Sequence, residues 1–214
     1  MPPTLVNVAV GVLIGVALLG AAFDRRSLAL AAVAAAVSDF DAVFDLLGVG
    51  AANATLHTLF IPIGVAALLY YDTEYRETSW LRERYGWYGV RVAWVTLAAY
   101  AVAGIGLDAF SAEGVALLYP LSDRYYAVVG GFLLSTQERI IQTYITFGNG
   151  WIELSTPGTV GTHHIDTWID PADGERRLRI VDSGWQAIVV VTAIVSVPAK
   201  YLVERRDRAA AGGR

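Results

Sequence analysis

Three acids fall within one short stretch, Asp39-Phe40-Asp41-Ala42-Val43-Phe44-Asp45, in an otherwise apolar part of the chain. An ionisable side chain costs roughly 2.5–3.5 kcal/mol at the centre of a bilayer and less near its interfaces. Acids in such a setting are either held at a site or placed at the end of a span. Asp41 and Asp45 are four apart and share a helix face, whereas Asp39 and Asp41 do not if the helix is regular. Either the helix ends near Ser38 or one acid points elsewhere, and both arrangements suit a metal or proton site better than bare lipid. His57, Asp108 and Glu113 add an imidazole and two carboxylates, with the amides of Asn7 and Asn53 in reserve. Carboxylates with one imidazole make an oxygen and nitrogen donor set that suits Zn, Mn, Fe or Mg rather than soft metals. A divalent ion there would lower the pKa of a water and generate a nucleophile near neutral pH. The plainer alternative is a set of interfacial acids, with His57 bonding a backbone carbonyl.

The elements that must position these residues are apolar helices. The 214 residues are 55% hydrophobic and only 17% charged, with a mean hydropathy of +0.48. A soluble domain of this length needs more charge to meet water. Five stretches are long and apolar enough to be read as spans: Thr4 to Ala22, Leu28 to Leu47, Leu56 to Tyr71, Val90 to Leu107 and Trp185 to Val203. The first lacks a basic segment before it, since Arg25 and Arg26 follow it, and so reads as a retained helix rather than a signal peptide. The fold class expected is a membrane α-helical bundle of about five transmembrane helices, with a small extracytoplasmic β-rich segment between the last two. Its divisions are a four-helix region over residues 1–109, the β-rich insertion over 110–184, a last span over 185–204 and a tail over 205–214. The absence of cysteine removes disulfides, thiolate-bound zinc and thiol nucleophiles. A net charge of -4 with no basic stripe argues against nucleic acid as a partner, leaving the lipid bilayer.

Charge placement supplies an orientation. Arg25 and Arg26 follow the first stretch, Arg76, Arg82 and Arg84 the third, and Arg205, Arg206 and Arg208 the fifth. Alternating crossings put all three clusters on one side, which the positive-inside rule makes cytoplasmic. The N-terminus is then outside the cell membrane and the C-terminus cytoplasmic. With that topology Asp39, Asp41, His57, Asp108, Glu113, Asn7 and Asn53 all gather at one depth, at the outer face. Trp80, Tyr85, Trp87, Tyr88 and Trp94 read as an interfacial aromatic belt.

The polar segment from about Asp108 to Gly184 reads as strands. Tyr125 to Val129 and Phe132 to Leu134 suggest a hairpin about Gly130-Gly131. Ile140 to Phe147 and Thr162 to Ile169 alternate polar with apolar residues, and Pro157-Gly158, Pro171 to Gly174 and Asp182 to Gly184 mark turns. His163, His164 and Asp166 form a second candidate group. On a strand the two histidines point to opposite faces and do not chelate together; surface histidines are the plainer reading. Glu138 and Arg139 read as solvated charges.

The order of these features resembles the multi-pass, membrane-bound metal-dependent hydrolase-like proteins, over about residues 1–120. Asp39-Phe40-Asp41 matches that family's early Asp-x-Asp. Asn53-Ala54-Thr55-Leu56-His57 matches the end of a His-Arg-x-x-x-His stretch, and Asp108, Gly114 and Pro120 match part of a later His-x-x-x-Asp pair with its Gly and Pro. Ala52, Asn53 and Gly104 stand where the family has His, Arg and His, and Asn7 where it has an early His. The resemblance implies that Asp39, Asp41, His57 and Asp108 hold a divalent metal ion, Zn, Mn or Mg; beside them Glu113 or a ligand carboxylate such as Asp41 is expected to serve as the catalytic base. It further implies attack by activated water on an ester or phosphoester of a lipid or envelope component. The alternative is a non-catalytic membrane scaffold or envelope-binding protein that has lost the family's histidines. A small transporter would need polar groups at mid-membrane and repeat symmetry, and neither is evident.

Overall fold

The computed structural model describes residues 3–47, 50–129, 133–135, 139–142, 153–163, 165 and 179–212. The chain is mainly helical: α1 (Thr4–Leu18), α2 (Arg25–Val37), α3 (Asp41–Leu46), α4 (Phe60–Tyr70), α5 (Trp80–Ala99), α6 (Leu107–Ala109) and α7 (Gly184–Gly212). Among the described residues, three continuous helical stretches are long and apolar enough to cross a membrane, Arg25–Leu46, Trp80–Ala109 and Gly184–Arg206. Three of the five stretches suggested by hydropathy thus pass on length and composition, while the helices of the other two, α1 and α4, are shorter, for a reason of backbone geometry. A hydropathy window counts apolar residues without asking whether the helix continues through them. At 1.5 Å per residue α1 extends about 22 Å, and α4 with the π-helical turn Tyr71–Tyr75 that continues it about 24 Å, against roughly 30 Å of hydrocarbon. The helix of α1 stops before Gly20, which has φ of 55°, and α4 begins only at Phe60 because residues 51–59 are drawn into a loop.

The chain divides into two compact units. The first comprises Pro3–Ala36, Gly64–Ala103 and Ile180–Arg214. Its buried cluster joins Leu19, Ala22 and Phe23 at the end of α1 to Leu28 of α2 and to Val92 and Val95 of α5, with Val197 and Tyr201 of α7 packed against it. The Phe23 and Tyr201 rings meet at 4.9 Å. Asp24 caps α2, its Oδ1 accepting from the amides of Arg26 and Ser27, both at 2.8 Å. Asp72 performs the same service for α5, accepting from the amides of Trp80 at 3.0 Å and Leu81 at 3.1 Å. These caps satisfy the first amides of each helix, which have no partner within it.

Small residues set how closely α1 and α2 approach. A Cβ on Gly11 would come 2.5 Å from Cβ of Ala35 and 3.0 Å from the Ala31 carbonyl oxygen, whereas one on Gly64 of α4 would meet nothing within 4 Å. Replacing glycine by alanine inside a helix gains up to about 1 kcal/mol of propensity, while overpacking costs about 1–3 kcal/mol. Gly11→Ala is therefore expected to lower, and Gly64→Ala to raise, the thermal unfolding midpoint in detergent. Equal shifts at the two positions would refute this account of the α1–α2 contact.

The second unit comprises the described residues of Val37–Ile63 and Gly104–Arg179. Here α2 ends at Val37, Ser38–Phe40 forms a 3-10 turn, and α3 resumes at Asp41. The helix thus does not end near Ser38: it tightens over Ser38–Phe40 and continues to Leu46. A loop over residues 51–59 is stitched to 114–117. The Ala116 amide donates to the Asn53 carbonyl at 2.9 Å, and the Leu59 amide to the Leu117 carbonyl at 2.9 Å. Asn53 itself has φ of 50°, and its Nδ2 donates to the Gly114 carbonyl at 3.2 Å. Gly114 has φ of 72°, and a Cβ there would lie 2.8 Å from the Tyr126 carbonyl oxygen.

Four short strands follow among the described residues: β1 (Ala127–Val129), β2 (Leu133–Ser135), β3 (Arg139–Gln142) and β4 (Glu153–Ser155). The hairpin expected about Gly130-Gly131 does not form between β1 and β2. Instead β1 pairs antiparallel with β4, Val128 opposite Leu154, and β2 pairs with β3, Leu134 opposite Ile140. A local turn signal specifies a reversal of direction, but strands of three residues carry too few ladder bonds for the turn alone to choose the partner. Gly130, Gly131, Glu138, His164, Asp166 and most of the Thr162 to Ile169 stretch lie outside the described residues.

Candidate metal centre

The site begins with Asp41, the first residue of α3. Its carboxylate is buried and faces the 51–59 loop, where two main-chain amides converge on it. Leu56 donates to Oδ1 at 2.6 Å and Ala54 to Oδ2 at 2.9 Å. The left-handed turn at Asn53 is what aims these amides, because it reverses the chain just before them. The same Oδ2 lies 2.8 Å from Nδ1 of His57. A fully occupied carboxylate thus fixes the histidine ring, which is itself completely buried.

The other ring nitrogen faces a second carboxylate. Nε2 of His57 is 2.7 Å from Oδ2 of Asp108, which lies in α6 and is fully buried. Oδ1 of Asp108 is buried and has no hydrogen-bond partner among the described residues. A buried oxygen of this kind costs about 1–3 kcal/mol unless something satisfies it. Asp39, in the 3-10 turn, completes the group. Ser38 beside it donates from Oγ to the Gly104 carbonyl at 3.1 Å, tying the turn to the stretch that leads to Asp108. Asp39, His57 and Asp108 each offer one ligand atom, and the three atoms lie within 4.8 Å of one another.

The donor set fits a divalent ion. Ligands at about 2.0–2.2 Å from one centre stand about 3.3–3.6 Å apart in a tetrahedron, so an ion would draw the three atoms in from their outer limit of 4.8 Å while parting Nε2 of His57 from Oδ2 of Asp108, now 2.7 Å away. Two carboxylates with a neutral imidazole would balance a 2+ charge, and the unsatisfied Asp108 oxygen gains a partner. Asp41 is placed differently from the other acids. It sits on the Nδ1 side of the ring, where it holds the imidazole so that Nε2 is the nitrogen left for an ion, the arrangement common behind metal-bound histidines.

The sequence profile of the YdjM inner membrane protein family matches residues 3–200. The chain belongs to this family. It is therefore an integral membrane protein, in keeping with its apolar helices. No curated protein and no solved structure matches this YdjM-family chain.

Other candidate residues of the YdjM-family chain lie outside the group of three. The Glu113 carbonyl, not its carboxylate, faces His163, whose Nε2 is 3.1 Å away. The His163 ring stands edge-on to Tyr125 with centroids 5.3 Å apart. Asp45, Tyr125, Thr162 and His163 line a separate polar cavity of about 220 Å³. Tyr125 is buried and donates its hydroxyl to the Ala52 carbonyl at 2.6 Å; burial first, then the Asp45 and Asp41 carboxylates, pushes its phenol well above the ordinary range. Asn7 is buried in the first unit. The amides of Ala54 and Leu56 escape sequence reasoning altogether, because a main-chain donor leaves no mark on residue type. Ser38 left only a hint, as a polar residue beside the first acid.

Proposed function

We propose that this protein is a membrane-embedded, metal-dependent hydrolase. The observation that carries the reading is the convergence of Asp39, His57 and Asp108 at one buried point, behind which Asp41 orients the imidazole. Asp39, His57 and Asp108 hold the ion, Zn, Mn or Mg. When bound, the ion supplies Lewis acidity that activates water near neutral pH. Asp39, the least buried of the three, is the side from which substrate and water reach the group. Glu113 or a ligand carboxylate is the general base in this reading. Asp41 keeps its oxygens on the loop amides and acts by positioning.

By the positive-inside rule the arginine clusters lie in the cytoplasm. The site then opens at the outer face of the membrane, and its substrate is an ester or phosphoester of a lipid or envelope component. The insertion over residues 110–184 stands on the same side.

One observation favours a second reading, a non-catalytic scaffold. With carboxylates at 2.8 and 2.7 Å from its two nitrogens, His57 as an imidazolium satisfies both without any metal. Metal analysis of the purified chain separates the two. The hydrolase reading expects about one tightly held divalent ion per chain and chelator-sensitive hydrolysis of a chromogenic phosphoester or ester. A folded protein that takes up no stoichiometric Zn, Mn or Mg would leave the scaffold reading standing.

A further inference from the structure

We propose that the cleft between the end of α1 and the start of the membrane part of α5 is a binding site for one acidic phospholipid. It lies wholly within the first unit and is independent of the metal centre. The cleft has a volume of about 670 Å³ and is lined by Leu18, Leu19, Trp87, Arg91, Trp94 and Val95, among others. That volume is far larger than a free phosphate and within the range of sites for drug-sized ligands.

Its chemistry is divided as a phospholipid's is. Leu18, Leu19 and Val95 supply apolar surface, and Trp87 and Trp94 supply broad aromatic faces. The one cation in the lining is Arg91. The backbone holds this residue in place. Gly86, with φ of 63°, breaks α5 just before Trp87, so Arg91 lies one turn into the new helical segment. Nε of Arg91 donates to the Leu18 carbonyl at 2.8 Å. Gly20, with φ of 55°, lets the guanidinium lie across the end of α1, since a Cβ there would come 3.3 Å from Nη2. Arg91 makes no other hydrogen bond among the described residues, and its planar fork matches two phosphate oxygens.

The level of the cleft agrees with this occupant. It adjoins the turn carrying Asp24, Arg25 and Arg26, and the Tyr88 hydroxyl donates to Oδ2 of Asp24 at 2.9 Å. Exposed Trp87 and Tyr88 are the residue types that settle at headgroup depth. A guanidinium held there meets phosphate while the aromatic and aliphatic walls meet the upper acyl chains. If Arg91 merely capped the Leu18 carbonyl, it would require neither an apolar cleft nor an aromatic wall beside it.

Native mass spectrometry of the full chain from detergent tests the proposal, with phosphatidylglycerol and phosphatidylcholine of identical acyl chains as probes. One phosphatidylglycerol is expected to stay bound under activation that strips phosphatidylcholine. Arg91→Gln should reduce the retained fraction about fivefold, as expected for losing one cation at a lipid surface. Arg91→Lys, which keeps the charge but not the fork, should retain an intermediate fraction, and an Arg205→Gln, Arg206→Gln control should leave retention unchanged. Equal retention of the two lipids, or retention unaffected by Arg91→Gln, overturns the proposal. A second measurement needs no variant: phosphatidylglycerol with brominated chains should quench tryptophan fluorescence of the parent at a lower mole fraction than brominated phosphatidylcholine. Coincident curves, or quenching relieved by inorganic phosphate, would show that no acidic lipid is selected there.

Discussion

The Asp39→Asn, Asp108→Asn double variant should lose its divalent ion while remaining folded. Each substitution keeps the shape of the side chain and removes a negative charge from the ligand group. Loss of a residue behind a ligand already costs 10–100-fold in affinity, so removing two anionic ligands should cost well over about 100-fold. Metal content measured after gel filtration should fall from about one ion per chain to a small fraction. Folding should suffer less, because the amide that replaces the Asp108 carboxylate still offers an oxygen to Nε2 of His57, where Oδ2 of Asp108 now stands at 2.7 Å. The scaffold reading makes the opposite forecast. If His57 is an imidazolium balanced by two carboxylates, the parent carries no ion, and taking away the Asp108 charge lowers stability. Unfolding and metal content, measured together on the same samples, therefore tell a ligand from a counter-ion.

The second large effect is expected at Asp41. Asp41→Ala strips the acceptor from the Leu56 amide, the Ala54 amide and Nδ1 of His57 at once. All of this takes place around a side chain that is 1% exposed, so water cannot readily replace it. Removing one partner of a buried charged network costs about 3–5 kcal/mol. Asp41→Asn should be milder in stability and still harmful to metal binding. Its amide can donate to Nδ1 only if the imidazole moves its proton to Nε2, and a protonated Nε2 cannot ligate. A loss of about 10–100-fold in metal affinity is expected from that change of tautomer. Thermal unfolding with and without added metal reads both effects: Asp41→Ala lowers the midpoint in either condition, and Asp41→Asn mainly removes the metal-dependent gain. An Asp41→Asn protein that binds metal as the parent does would refute the orienting role.

Two features link the lipid cleft and the metal centre in physical style though not in place. Each uses a residue with positive φ, Asn53 in one case and Gly20 in the other, to present polar groups that a regular helix would keep to itself. Each also puts its charged group against main-chain atoms as well as side chains. The two test sets are separate, since Arg91 touches no ligand of the metal group and Asp41 lines no part of the cleft.

Residue types and hydropathy were enough to mark an integral membrane chain, and the Asp39, Asp41, His57 and Asp108 that they single out lie close together in the fold. The reason is energetic: carboxylates and an imidazole among apolar residues are too costly to bury apart, so polar groups flanking apolar stretches tend to be found together. The spacing of Asp39 and Asp41 also pointed to an irregularity in the helix, which takes the form of a 3-10 turn at Ser38–Phe40 within a continuous helical stretch. Which of the apolar stretches form shorter helices was not legible, because apolar composition does not report where the backbone stops being helical, as it does after α1 and before α4. Strand pairing was not legible either, because β1 to β4 are too short for local signals to select partners. Above all, four candidate residues did not reveal their separate places. Asp41 stands behind the histidine and Asp39 and Asp108 stand before it, since the amides of Ala54 and Leu56 converge on Asp41 alone. That division is made by the left-handed turn at Asn53 and the stitching of its loop to residues 114–117, contacts between distant parts of the chain that only the folded backbone brings into register.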